Sequence, residues 1–392
     1  MKILVISSRI PAAEKKGDQV ASFPRVVYLA RTNQVELICF GSMSVPEDRE
    51  ARQALEVAGV VVHFVRWKPW VALARMLQAL PDASIPFQCA YFRSGEFQKV
   101  VEAVSLRFMP DALYCVMVRV FVNAEGFTGR IYVDMVDSMG LNFSRRASVA
   151  TGLKRWLLSL ERRRVSAFER QVARRADRSF VVSRIDQQAI GTEKVDAISL
   201  GVDMQRFKKD TAQKKPGGVI AFTGNMGYQP NIEAVLWFVH HCWPEVKRLV
   251  PGIRLVIAGS SPAQSVVALG EQDKEISVTG RVPSMAAILN AAAVAVVPMQ
   301  SGSGMQNKIL EAMACGVPVV TTALGLGDIG ARSGKEILVA DSPMEFSMAV
   351  VSLLESAQMS VDIGDQGMRY VHANHSWEAL NKRFALACGI ES

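Results

Sequence analysis

Between Gly302 and Val320 the chain reads Gly-Ser-Gly-Met-Gln-Asn-Lys-Ile-Leu-Glu-Ala-Met-Ala-Cys-Gly-Val-Pro-Val-Val. Gly302 and Gly304 let backbone come close to a ligand with no Cβ in the way. The spacing predicts a helix over Met305 to Ala314, with Ile309, Leu310 and Met313 at core positions. Gly316 ends it, Pro318 prevents continuation, and Val317 to Thr322 read as a strand. The first N–H groups of such a helix seat an anion. Lys308 and Glu311, three residues apart, share one face of it. A cation beside the anion seat and a carboxylate one turn deeper suit a ligand with a phosphate end and a hydroxyl-rich end. A nucleotide sugar is such a ligand.

The elements that must position this run are short apolar stretches separated by helical ones. Lys2–Ser7 leads to Gly17, and Val219–Thr223 leads to Gly224 and Gly227, so each half opens with a strand running into a glycine loop. Further runs at 35–40, 60–65, 112–116, 131–133 and 179–182, then at 254–258, 276–279, 294–298 and 337–339, imply parallel sheets covered on both faces. The fold class expected is α/β, with two Rossmann-like domains facing across a cleft. Residues 1–205 form the first, 206–370 the second, and 371–392 hold a helix packing back on the first. Lys208–Gly218, polar and glycine-rich, is the linker candidate.

With 392 residues, nearly half of them hydrophobic, there is ample core for two domains. No uninterrupted apolar run reaches eighteen residues, and the first residues read as a strand rather than a signal peptide. Six scattered cysteines with no Cys-x-x-Cys pair fit a reduced cytosolic protein, and no short-range cluster suggests a metal. Residues 1–205 hold 29 Lys and Arg against 21 Asp and Glu, whereas 206–392 hold 16 of each. The whole excess of +8 therefore lies in the first half, whose partner is expected to be anionic.

The run from Glu311 through Ala312-Met-Ala-Cys-Gly-Val-Pro-Val-Val320 resembles the donor-site signature of retaining glycosyltransferases of family 4. That pattern is a Glu-x7-Glu loop and helix followed by Ala-Met-Ala-x-Gly-x-Pro-Val-Val. Its first Glu would fall at Ser303, a departure. Ile198-Ser-Leu-Gly-Val-Asp203 with Phe207 is similar to the family's interdomain junction. The resemblance implies the GT-B fold, with the donor on the second domain and the acceptor on the first. It implies that Glu311 accepts hydrogen bonds from the ribose hydroxyls. The amides of Met305, Gln306 and Asn307, beside Ser303 and Gly304, would meet the distal phosphate and sugar. Where the family places an Arg and a Lys after the glycine of the Gly224 loop, this chain has Asn225 and Pro230/Asn231. Lys308 is then the remaining cation for the diphosphate, with Arg281, next to Val282, a second. Gly17 sits where the family keeps a glycine near the donor phosphates.

Gly224 also fits a plain strand–helix turn, and both readings stay open. Asp134 and Asp137 end a first-half strand on the side where parallel-sheet ligands gather. Either could orient or deprotonate an acceptor hydroxyl, Asp137 being the catalytic candidate beside Lys308 and Glu311, or begin an Asx turn. Asp134-x-x-Asp137 is not an Asp-x-Asp metal motif, so no metal or other cofactor is expected. Residues 153–178 read as a long helix with an apolar stripe (Leu153, Trp156, Leu157, Leu160, Val165, Phe168, Val172) among many arginines. That stripe fits a core face, and the arginines fit lipid headgroups; Trp67-Lys-Pro-Trp70 adds interfacial aromatics.

The expected protein is a retaining glycosyltransferase, cytoplasmic and peripheral at the inner face of the membrane. It would move a hexose from a nucleoside diphosphate sugar to a lipid-linked or polysaccharide acceptor. No nucleic-acid partner is expected. Two alternatives are a nucleotide-sugar epimerase of the same fold and a non-catalytic partner subunit that binds nucleotide sugar.

Overall fold

The computed structural model describes residues 1–12, 18–78, 84–210, 218–302 and 305–390. It divides into two units, Met1–Ser199 together with Leu380–Ser392, and Leu200–Ala379. The first contains a seven-stranded sheet of β1 (Lys2–Ser7), β2 (Gln34–Phe40), β3 (Val60–Val65), β4 (Ala112–Val116), β5 (Arg130–Val136), β6 (Arg178–Val181) and β7 (Val195–Ala197). Its order is β3-β2-β1-β4-β5-β6-β7, with every pairing parallel. Side chains on β1 alternate between faces. Ile3 and Val5 join one apolar cluster and Leu4 and Ile6 another, which is why the run is apolar at every position.

The helix Trp377–Ala387 supplies Leu380, Phe384 and Ala385 to the cluster around Ile3 and Val5. Phe384 packs on Tyr114 at 5.1 Å and on Phe180 at 4.6 Å. Beneath it Arg25 pairs with Asp134, which also accepts from the Tyr114 hydroxyl at 2.9 Å. Asp134 is thus committed to a buried ion pair with a residue 109 positions away, and its candidacy for acceptor chemistry falls.

The second unit contains β8 (Val219–Thr223), β9 (Arg254–Ala258), β10 (Ile276–Gly280), β11 (Val294–Val297), β12 (Val319–Thr321) and β13 (Leu338–Val339), ordered β10-β9-β8-β11-β12-β13 and again parallel. In both sheets the unit's first strand has later strands on either side. The chain order therefore reverses between β1 and β4 and between β8 and β11. In open α/β sheets the ligand crevice opens at such a reversal, at the carboxyl ends of the strands.

The expected boundary at 205/206 lies at Ser199/Leu200, and residues 371–379 stay with the second unit, Leu380 onward going to the first. The linker candidate is corrected too. Asn290 accepts from the Asp210 amide at 2.9 Å and donates to the Lys208 carbonyl at 3.0 Å, while Lys209 pairs with Asp365 at 2.7 Å. Residues 208–210 are packed on the second unit, and 211–217 lie outside the described residues. The helix expected over 153–178 runs Gly152–Arg175. No helix among the described residues is long and apolar enough to cross a membrane.

Candidate functional site

The loop after β8 and the loop after β11 both fall at the strand-order reversal of the second sheet. Gly224 ends β8 with φ at 155° and its amide donating to the Ala258 carbonyl at 3.0 Å. A Cβ there would lie 2.9 Å from Asn231 Nδ2 and 3.3 Å from Lys308 Nζ. Behind it, a Cβ on Gly259 would lie 1.4 Å from the Gly224 carbonyl oxygen. Two glycines let the ends of β8 and β9 close on each other and leave space in front of Lys308.

The helix carrying Lys308 runs Asn307–Ala314, starting two residues later than its spacing predicts. Gln306 stands at its N-cap with no side-chain capping bond. The Ile309 amide donates to the Gln306 carbonyl at 2.9 Å, and no side chain caps the remaining first-turn N–H groups. Ile309, Leu310 and Met313 are buried and fix the helix on the sheet. Lys308 donates to Asn231 Oδ1, lies 3.8 Å from Met299 Sδ and sits 4.8 Å over the Phe222 ring. Asn231, buried in the helix Gln229–His241, donates to the Asn225 carbonyl at 2.9 Å. One amide therefore ties the ammonium to the Gly224 loop.

Ser301 donates to Glu233 on the helix bearing Asn231, and a Cβ on Gly302 would lie 3.2 Å from Pro230 Cβ. Gln229 also donates to Glu233, at 3.0 Å. These contacts bring the loop after β11 against the helix that follows the Gly224 loop.

Burial pushes Lys308 down to about 8, opposed by Glu311. Burial pushes Glu311 up to about 7, against the pull of Arg206 and Lys308. The two groups titrate close to each other in a poorly hydrated place. An ammonium held by an amide oxygen, with Glu311 acting on it from the same helix, beside a helix start that no side chain caps, is an arrangement that suits an anion.

Residues 217–356 match the family model of the glycosyl transferases group 1. The match falls within the second unit. A D-inositol 3-phosphate glycosyltransferase of Segniliparus rotundus is 27% identical over 215 residues, covering 49% of this chain and 46% of that protein. An uncharacterized 44.6 kDa protein in the cps region of Klebsiella pneumoniae is 23% identical over 181 residues, covering 44% and 46%. The chain spans about half the length of these curated relatives. Among solved structures, Anabaena HepE in complex with UDP superposes with a TM-score of 0.66 at 13% identity, covering 99% of this chain and 100% of that one. The two parallel-sheet units have the GT-B fold expected from sequence.

Within the second unit, Gly224, Asn225, Lys308 and the approach Met305–Asn307 come together, with Glu311 one turn along the same helix. Arg281, exposed, and Val282 follow β10 at the same sheet edge, two strands from β8, and no described contact joins them to Lys308. Ser303, Gly304 and, in the first unit, Gly17 lie outside the described residues. Asp137 also belongs to the first unit. It follows Val136, whose φ is 64°, and accepts from Asn142 at 2.7 Å, while burial pushes its carboxyl above the usual range. Ser138, not Asp137, caps the next helix. The cavity of about 650 Å³ beside Gln98, Glu102 and Phe127 is at the amino ends of β4 and β5, the edge opposite Asp137.

Asn231 enters from sequence only as a neutral residue where the family keeps a Lys, and Phe222, Met299 and Gly259 carry no site signal there. An asparagine one turn into the helix after a glycine loop was the available signal for the first.

Proposed function

We propose that the chain is a retaining glycosyltransferase that moves a hexose from a nucleoside diphosphate sugar to a hydroxyl of a lipid-linked or polysaccharide acceptor at an anionic membrane surface. What carries the reading is the convergence, at the β8/β11 reversal, of the Gly224 loop, the uncapped start of the Asn307 helix, and Lys308. UDP in the HepE structure and the glycosyltransferase name of the Segniliparus relative support it. The excess of cations in residues 1–205 supports an anionic acceptor environment.

In this reading the anomeric C–O bond to the diphosphate breaks and a C–O bond to the acceptor forms on the same face. The leaving diphosphate takes the acceptor's proton. Lys308 and the amides of Met305, Gln306 and Asn307 neutralise the charge that develops on the diphosphate, which is where electrostatic stabilisation counts most. Glu311 holds the ribose hydroxyls, and Asp137 orients the acceptor. The charge compensation is assigned to protein groups and needs no metal.

Thermal-shift binding of UDP, GDP and ADP, followed by release of sugar from the matching nucleotide sugars, tests the proposal. Binding of one nucleotide and its loss by at least tenfold in Lys308→Met are expected. Absence of binding by all three would overturn the reading, and recovery of an epimerised donor would replace it.

A further inference from the structure

The first unit leaves two apolar helix faces uncovered. On the helix Pro69–Gln78, Trp70, Leu73 and Leu77 fall at i, i+3 and i+7, hence on one side. Trp70 is 84% exposed and Leu77 55%, while Ala72, on the opposite side, is the buried residue. The helix turns its apolar face outward, the reverse of what a core-packed helix does. Leu153, Trp156 and Leu157 repeat the pattern at the start of the helix Gly152–Arg175, with Leu153 73% and Trp156 61% exposed. Leu158, at the end of the second turn, is the first buried residue, and Glu161, Val165, Phe168 and Val172 continue the seated side, so Leu153, Trp156 and Leu157 stand ahead of or beside it. An exposed tryptophan on each of two helices is not the scattered surface apolarity normal for a soluble protein.

The helix Phe87–Phe92 connects the two faces. Trp67, just before the first, packs on Tyr91 at 4.9 Å and on Phe92 at 5.2 Å. The Phe87 amide donates to Glu161 at 2.7 Å, and Arg164 sits 4.7 Å over the Phe87 ring, both on the second helix.

Charge says what covers these faces. Residues 139–160 contain Arg145, Arg146, Lys154 and Arg155 and no Asp or Glu. Residues 66–78 contain Arg66, Lys68 and Arg75 and again no acid, with Lys68 pairing to Glu96. A second copy would bring like charges together. An anionic lipid surface offers phosphates to the cations, an apolar layer to the leucines, and the interfacial depth that indole rings favour.

We infer that the outer face of Pro69–Gln78 and the first two turns of Gly152–Arg175 insert together into an anionic bilayer. This rests on the proposed membrane-borne acceptor and assigns that membrane its contact surface. Flotation of the full chain with phosphatidylcholine vesicles, with and without about one third phosphatidylglycerol, tests it, with UDP binding measured on every variant. The wild type is expected to float with the anionic vesicles and to stay behind with the neutral ones. The double variants W70S/L77S and L153S/W156S each lower the bound fraction about tenfold or more, and so does K154E/R155E, while UDP affinity changes less than about twofold.

Variants that float like the wild type overturn the inference, as does a wild type that ignores anionic vesicles at low salt. A dimer dispersed by the tryptophan variants also overturns it. UDP binding without flotation removes this inference alone. Flotation without nucleotide binding removes the transferase reading and leaves the contact surface standing.

Discussion

A bound diphosphate at Lys308 should draw a proton from solvent. Burial holds the free ammonium near 8 rather than 10.5. Returning it to the ordinary value spans about 2.5 units, or about 3 kcal/mol of differential interaction. A diphosphate that supplies the missing countercharge should recover much of this. At about pH 7.5 roughly a quarter of the free protein has a neutral Lys308, and at about pH 8.5 roughly three quarters. Binding therefore takes up about a quarter of a proton at the lower pH and about three quarters at the higher, and Kd weakens about threefold across that unit. Calorimetric titration of UDP in two buffers of different ionisation enthalpy reads the proton number directly. Lys308→Met, similar in length and without charge, should bind more weakly and show neither the uptake nor its rise with pH. The same uptake in the variant, or none in the wild type, would refute the assignment of Lys308 to the diphosphate.

Glu311→Gln removes a carboxylate that holds Lys308 up. The alkaline fall in kcat/KM should shift to lower pH, as a pH–rate profile of donor consumption would reveal, and kcat/KM itself should drop about tenfold to a hundredfold. Asn231→Ala cuts the tie between Lys308 and the Asn225 carbonyl. UDP affinity should fall about tenfold while the melting temperature moves by only a few degrees, as calorimetry and thermal shift would show. Arg25→Met leaves Asp134 buried without its ion pair, so denaturant unfolding should register a loss of about 3–5 kcal/mol, with UDP affinity unchanged in the protein that remains folded.

The strands were legible because each is a short apolar run buried on two faces, as at Ile3–Ile6 and Val294–Val297. Lys308 and Glu311 were legible as a pair because three-residue spacing is a property of the helix itself. What failed to show depended on distant partners. The Lys208–Asp210 run looks like a linker until Asn290, eighty residues on, takes its backbone groups. Asp134 looks available until Arg25 pairs with it. Trp70 and Trp156 show the limit of periodicity. Spacing reveals that a helix has an apolar side but not whether protein covers that side. The weight of Asn231 was hidden for the same reason, since its partners, Lys308 and the Asn225 carbonyl, meet only in the folded second unit.

The return of Leu380 and Phe384 to the first sheet also sets an order of events during synthesis. β1 to β7 are made before the helix Trp377–Ala387, so one face of that sheet, covered in part by Val26, Leu29, Ala51 and Leu55, lacks Leu380, Phe384 and Ala385 until that helix emerges. By then the whole of Leu200–Ala379, an unbroken segment, has been made and can close its own core. Of the two units, the one whose strands are translated earlier is thus finished later. Until it is, Tyr114 and Phe180 wait for the Phe384 ring, and nascent-chain chaperones have the longest access to that part of the face.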